Sequence, residues 1–204
     1  MSSFLAPALA GLGTGAGLIV AIGPQNAYVL RQGLRRNGIV AVVLVCVLSD
    51  IALIATGVAG MGALAGRFPA LLEAVRWGGA AFLIAYATVA ARRALRPAAL
   101  AAADAPDPTR AGVVLTAVAL TWLNPHVYLD TMVLIGSVAA TKGDPGRWAF
   151  AAGAMLASVL WFTLLGLGAR ALSGVLGRPT VWRLVDGLIA VQMLVVAAGL
   201  LLTG

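Results

Sequence analysis

Six long apolar stretches, 5–30, 39–65, 70–91, 112–140, 149–170 and 182–202, alternate along the chain with short polar connectors. Each is close to the roughly 20 helical residues that cross a bilayer's hydrocarbon core. The strict polar/apolar alternation of a membrane β-barrel is absent. The pattern therefore predicts an all-α integral membrane protein, a six-helix bundle. Its longest connector, Pro97 to Arg110, has a turn-forming, locally polar composition.

Composition agrees. Hydrophobic residues make up 61% of the 204 positions and charged residues only 10%, and mean hydropathy is +1.00. A soluble domain carries about 25% charged residues, so a soluble enzyme, a secreted disulfide scaffold and a disordered tail are all excluded. Cys46 is the only cysteine, which precludes an intrachain disulfide; it reads as a small hydrophobe, buried or facing lipid. The first apolar stretch has no basic residues before it and runs on past Ala-Pro-Ala-Leu-Ala, so it reads as a retained span and not a signal peptide.

The net charge of +7 would ordinarily raise nucleic-acid binding. Here the fourteen Lys and Arg residues fall at or beside connectors and form neither a patch nor a helical stripe. The first, third and fifth connectors hold ten of them (Arg31, Arg35, Arg36; Arg92, Arg93, Arg96, Arg110; Arg170, Arg178, Arg183). The second and fourth hold Arg67, Arg76, Lys142 and Arg147. The positive-inside rule then places the odd connectors in the cytoplasm and both termini outside. No nucleic-acid partner is expected; the partner is the lipid bilayer.

Two spans are interrupted in similar fashion. Gly23-Pro24-Gln25-Asn26-Ala27-Tyr28 breaks the first, and Asn124-Pro125-His126-Val127-Tyr128 breaks the fourth. Three spans separate the breaks, which would give the halves opposite orientations. Paired Pro-interrupted spans in inverted repeats point to a transporter's central site, although two ordinary proline kinks would also be tolerated in membrane helices. The expected layout is one transmembrane domain of two inverted three-helix repeats, about 1–95 and 111–204, joined by a loop at about 96–110.

Two acids lie deep in spans. Asp50 sits near the middle of the second and Asp130 five residues past Pro125, and neither has a basic residue within a helical turn. A carboxylate at such depth costs on the order of 2.5–3.5 kcal/mol even on lenient scales, so the pair reads as a cation or proton site. The alternative is that each is protonated, or paired across helices for packing. His126 stands one turn before Asp130, where it would act in a proton relay or simply hydrogen-bond nearby backbone. Metal-ligand spacing is missing, and no metal or other cofactor is expected. Proline frees backbone groups and favours the first helical position, so half-helices are expected to begin near Gln25 and His126. Their N-termini suit a carboxylate, with Gln25, Asn26 and Asn124 as neutral partners. Ser158 and Trp161 in the fifth span either face the same interior or pack. Asp186 is expected to pair with Arg183 at i−3, near the interface. The Gly11-x-Gly13-x-Gly15-x-Gly17 run has no P-loop context and reads as a close helix contact.

The stretch Gly23-Pro24-Gln25-Asn26-Ala27-Tyr28-Val29-Leu30-Arg31-Gln32-Gly33 resembles the signature of the lysine exporter (LysE/ArgO) family. Thr121-Trp122-Leu123-Asn124-Pro125-His126-Val127-Tyr128-Leu129-Asp130 resembles its second signature; Ser49-Asp50 and Ser158-x-x-Trp161-Phe162 also match. Related homoserine/threonine-type exporters usually read Pro-Gly-Pro in the first motif, so Gly-Pro-Gln-Asn favours the basic-amino-acid branch. The resemblance covers essentially the whole chain. It implies a six-helix secondary transporter, not an enzyme, that exports L-lysine and/or L-arginine across the bacterial cytoplasmic membrane, driven by membrane potential or a proton gradient. Tyr28 and Tyr128, from the two motifs, join the candidate substrate or proton residues Asp50, Asp130, Asn26, Gln25, Asn124 and His126. Export of neutral amino acids or of a metal cation is the alternative within transport. An intramembrane aspartyl enzyme is disfavoured because neither aspartate follows a Gly-x-Gly.

Overall fold

Proline dictates the first structural event in each half of the chain. In the computed structural model, which describes residues 2–20, 23–35, 38–61, 69–95, 109–169, 171, 173–176 and 178–202, helix α1 (Ser2–Ile19) ends before the first break. Helix α2 (Pro24–Arg35) then departs at 81°. In the second half α5 (Arg110–Trp122) gives way to α6 (Pro125–Tyr128). That helix passes through a π-helical stretch, Leu129–Leu134, into α7 (Ile135–Ala140), and the bend there is 60°. Both new helices open on the proline itself, the position where a missing N–H costs nothing.

Between and after the breaks lie α3 (Ile39–Thr56), which ends in a π-helical turn Gly57–Met61, and α4 (Pro69–Leu95). They are followed by α8 (Gly146–Gly168), a short α9 (Ser173–Leu176) and α10 (Pro179–Leu202). Gly38 starts α3 at φ 66°, a left-handed conformation that suits glycine. Thr109 caps α5 by accepting a hydrogen bond from the Gly112 N–H at 3.2 Å. All regular elements among the described residues are helical.

Among these residues three segments are long and apolar enough to cross a membrane: Ile39–Gly60, Gly146–Gly168 and Pro179–Gly199. The two bent pairs raise the number to five if each pair is one span. The sequence predicts six. Its third, 70–91, falls in α4, the most charged of the long helices, with Glu73, Arg76, Arg92 and Arg93, and outside that number. Most of the 96–110 loop, the tail of the second predicted span, and Arg36, Arg67, Arg96 and Arg170 lie outside the described residues.

Two packing seams organise the bundle. α1 lies along α8 at backbone distance: a Cβ on Gly11 would collide with the Phe150 carbonyl, and one on Gly153 with that of Ala8. Gly15 faces Ala154 in the same way, whereas Gly13 and Gly17 meet nothing within 4 Å. Only half of the glycine run therefore makes the close contact. Small residues permit such approach between membrane helices, where van der Waals packing is a main source of association. α10 pairs with α4 around Leu83, Ala87, Ala90, Trp182, Ile189 and Met193, and Ala27 of α2 joins that cluster. Between the seams, Val29, Val42, Cys46, Val113, Ala117 and Phe162 bring α2, α3, α5 and α8 together. Cys46 is buried there and does not face lipid.

Candidate functional site

The two breaks face each other. Gly23, Pro24, Gln25 and Asn26 from the first and Asn124, His126 and Val127 from the second line one cleft. Asp50 of α3 and Asp130 of the π-helical stretch open into it as well. Leu18, Phe162 and Gln192 supply further wall, so helices from both halves contribute. The unfilled space amounts to about 500 Å³, including the part open to its surroundings.

Asp50 is 3% exposed. Its Oδ2 accepts a hydrogen bond from Ser158 Oγ at 2.7 Å. Ser158 is fully buried on α8, so it faces the interior. Next to Asp50 in sequence, Ser49 Oγ accepts from the Trp122 indole N–H at 2.9 Å, which ties the end of α5 to α3. Asp130 lies one turn from His126, with Oδ2 3.4 Å from Nε2. Its side chain is 17% exposed and that of His126 26%. The (i, i+4) spacing gives this adjacency, with His126 on α6 and Asp130 in the first turn of the π-helical stretch. Among the described residues no group of three or more His, Cys, Asp or Glu is placed to hold a metal ion.

The two asparagines hold the breaks together. Asn26 Nδ2 donates to the carbonyl of Ile19, the last residue of α1, at 2.9 Å. Its Oδ1 accepts from the Trp161 indole N–H at 3.3 Å. Asn124 Oδ1 accepts from the His126 backbone N–H at 3.1 Å, which caps α6. A broken helix leaves unsatisfied carbonyls behind and N–H groups ahead; Asn26 serves the first kind and Asn124 the second. The Nε2 of Gln25, by contrast, is buried and has no hydrogen-bond partner among the described residues.

Of the sequence candidates, Pro24, Gln25, Asn26, Asp50, Asn124, His126 and Asp130 meet in the cleft. Pro125 opens α6 beside it. Ser158 and Trp161 stand directly behind, each bonded to a cleft residue. Tyr28 and Tyr128 are not on its wall: Tyr28 donates to the Val113 carbonyl at 3.0 Å and Tyr128 to the Trp122 carbonyl at 2.8 Å.

One sequence expectation is overturned. Asp186 does not pair with Arg183. It is 5% exposed and binds Arg31 of α2, whose guanidinium Nη2 lies 2.8 Å from each carboxylate oxygen. That guanidinium also stacks 4.6 Å over the Trp182 ring. Arg183 turns outward, and its Nε donates to the Ala94 carbonyl at 3.3 Å. Asp186 lies on the face of α10 that packs against α2 and α4, so its partner comes from across the seam. Gln192 was also missed. It is the only polar residue in the run Leu188–Leu202, and a lone amide at that depth was the available signal.

The family model described as LysE type translocator matches residues 16–204. A Mycobacterium tuberculosis protein with the provisional name of amino-acid transporter is 50% identical over 91% of this chain and 92% of its own length. The lysine exporter LysE of Corynebacterium efficiens is 43% identical over 95% of this chain and 97% of its own. The arginine exporter protein ArgO of Serratia proteamaculans is 44% identical over 93% of each. These names describe transporters, not enzymes. No solved structure matches at a significant level. Matched over nearly its whole length, and with several helices able to cross a bilayer, this multi-pass membrane protein belongs to the LysE type translocator family.

Proposed function

We propose that the protein is a secondary transporter that exports cationic L-amino acids, arginine and/or lysine, across the bacterial cytoplasmic membrane by alternating access. The observation that carries this reading is the cleft itself, which sets two acids, Asp50 and Asp130, among the starts of two half-helices. Carboxylates accept the substrate's side-chain cation. Helix starts, with their positive dipole ends, suit its α-carboxylate. In this scheme Gln25 assists the carboxylate, while Asn26 and Asn124 keep the half-helices in place. The substrate's charge replaces what each acid lacks in the apolar interior.

Two three-helix repeats are the architecture that serves this mechanism. Packing between helices at equivalent positions supports it: α4 lies on α10, and α3 on α8. Rocking of one half against the other around the fixed cleft opens it to either side, with both termini outside. An outgoing cation moves against an inside-negative potential, at a cost of about 2.3 kcal/mol per charge per 100 mV. Exchange for an incoming proton cancels that charge movement, and in this scheme the proton is assigned to the His126–Asp130 pair, whose 3.4 Å approach supports it. The sequence similarity to lysine and arginine exporters favours basic substrates over neutral amino acids or metal cations.

The test is counterflow of labelled arginine and lysine in proteoliposomes at defined pH and potential. Wild type should exchange both better than threonine, and Asp50→Asn and Asp130→Asn should each lose exchange. Undiminished exchange in both variants would end the charge-site reading.

A further inference from the structure

The polar groups of the cleft fall into two classes. Asn26 and Asn124 hold backbone, Asp50 has already accepted Ser158, and Asp130 faces His126. Gln192 hydrogen-bonds to none of the described residues, yet it sits in a helix whose neighbouring side chains are all apolar. Buried amides in membrane helices ordinarily find a partner on another helix. On α10, Trp182, Asp186, Ile189, Met193 and Ala197 form the buried stripe, and Val185, Gln192 and Val196 run along its half-buried flank. That flank turns from the α4 seam to the cleft at Gln192.

Hydrogen-bond arithmetic says what is missing there. A bound arginine brings five guanidinium N–H donors and three on its α-ammonium; lysine brings three on each ammonium. Besides Gln25 and Thr131, the cleft's side-chain acceptors are chiefly the Asp50 and Asp130 oxygens, and Ser158 already occupies part of the Asp50 capacity. The shortage is of acceptors, and it is larger for arginine. From this we infer that Gln192 contacts the substrate, lending its Oε1 as an acceptor from the last helix, and favours arginine over lysine. The inference rests on the cleft being the substrate site, as proposed above.

Proteoliposome counterflow with Gln192→Leu and Gln192→Met tests it. Both variants should raise the KM for arginine about tenfold, as expected for a lost hydrogen bond to a charged donor. The KM for lysine should rise threefold or less, with kcat within twofold of wild type. Gln192→Glu, which keeps the acceptor, should retain the arginine preference. If Gln192→Met restores the wild-type KM, the side chain only fills space and the inference fails. It fails equally if the two substrates weaken to the same extent or not at all. Asp50→Asn and Asp130→Asn, run alongside, separate the two levels. Exchange undiminished in both removes the underlying site, whereas exchange lost there but untouched by the Gln192 variants removes only this residue. Should the apolar variants not reach the membrane, Gln192→Cys gives an independent readout, because Cys46 is 1% exposed and contributes little background. Arginine should slow maleimide labelling at residue 192 several-fold, and labelling at an unchanged rate under saturating arginine overturns the proposal.

Discussion

Asp50 and Asp186 are both buried carboxylates in helices that are otherwise almost wholly apolar, 3% and 5% exposed, yet their surroundings differ in kind. Asp186 is gripped at both oxygens by a guanidinium that is itself stacked on Trp182. Its charge and its hydrogen-bonding capacity are spent inside the protein, where it fastens α2 to α10. Asp50 receives a hydroxyl at one oxygen and opens into a cleft. One hydrogen bond from a neutral donor does not offset the desolvation of a carboxylate. The same residue type is thus a fastening where a cation is built in, and opens into a cleft, as the proposed binding group, where none is.

Five variants sharpen or break that contrast. The largest effect belongs to Asp50→Asn. Loss of a charge-assisted contact to substrate is worth about 1.5–3 kcal/mol, so kcat/KM for export should fall about 10- to 150-fold. Thermal stability in detergent should hold or rise, because a buried charge without a built-in cation is removed. A variant that unfolds would make Asp50 a second fastening. Asp186→Asn should do the opposite. Breaking a fully enclosed ion pair costs about 3–5 kcal/mol, and the partial exposure of Arg31 lowers the expected loss of stability to about 1–3 kcal/mol. The double change Arg31→Met with Asp186→Leu should recover most of it, measured by the same melting experiment. A smaller loss, about 1–2 kcal/mol, is expected for Gly11→Ala, whose Cβ would press on the Phe150 backbone and pry α1 from α8. Gly13→Ala meets nothing within 4 Å and should stay within about 0.5 kcal/mol of wild type. Equal effects at the two glycines would mean that the α1–α8 seam is not set by backbone approach.

Much of the site was legible in the sequence because its signals are local. Proline lacks an N–H wherever it stands, so Pro24 and Pro125 mark breaks without reference to the rest of the fold. Asp50 and Asp130 stand out because carboxylates are costly in apolar spans. His126 and Asp130 meet through helical spacing alone. Asp186 was misread because its partner is distant in sequence. Arg183 was the nearest cation to Asp186 along the helix, but Arg31, 155 residues away, holds it. Asn26 and Asn124 stand out because they sit at the breaks, and the structure adds that their side chains bond the chain there, to the Ile19 carbonyl and the His126 N–H. Gln192 has no neighbouring motif at all.

The sequence by itself determined that the chain belongs in lipid, which segments are apolar, where two of them break and which acids lie too deep to be ignored. These are properties of a residue and its neighbours within a turn or two. Tertiary structure alone decided which faces meet: that both breaks and both acids open into one cleft, that Ser158 and Trp161 stand behind it, and that Asp186 is fastened to Arg31 while Gln192 is left open. Hydropathy sends a helix into the bilayer but does not choose the side it turns to its neighbours. That choice comes from packing, from the glycine contacts of α1 on α8 and the apolar seam between α4 and α10, and it divides these polar groups between holding the fold and facing the cleft.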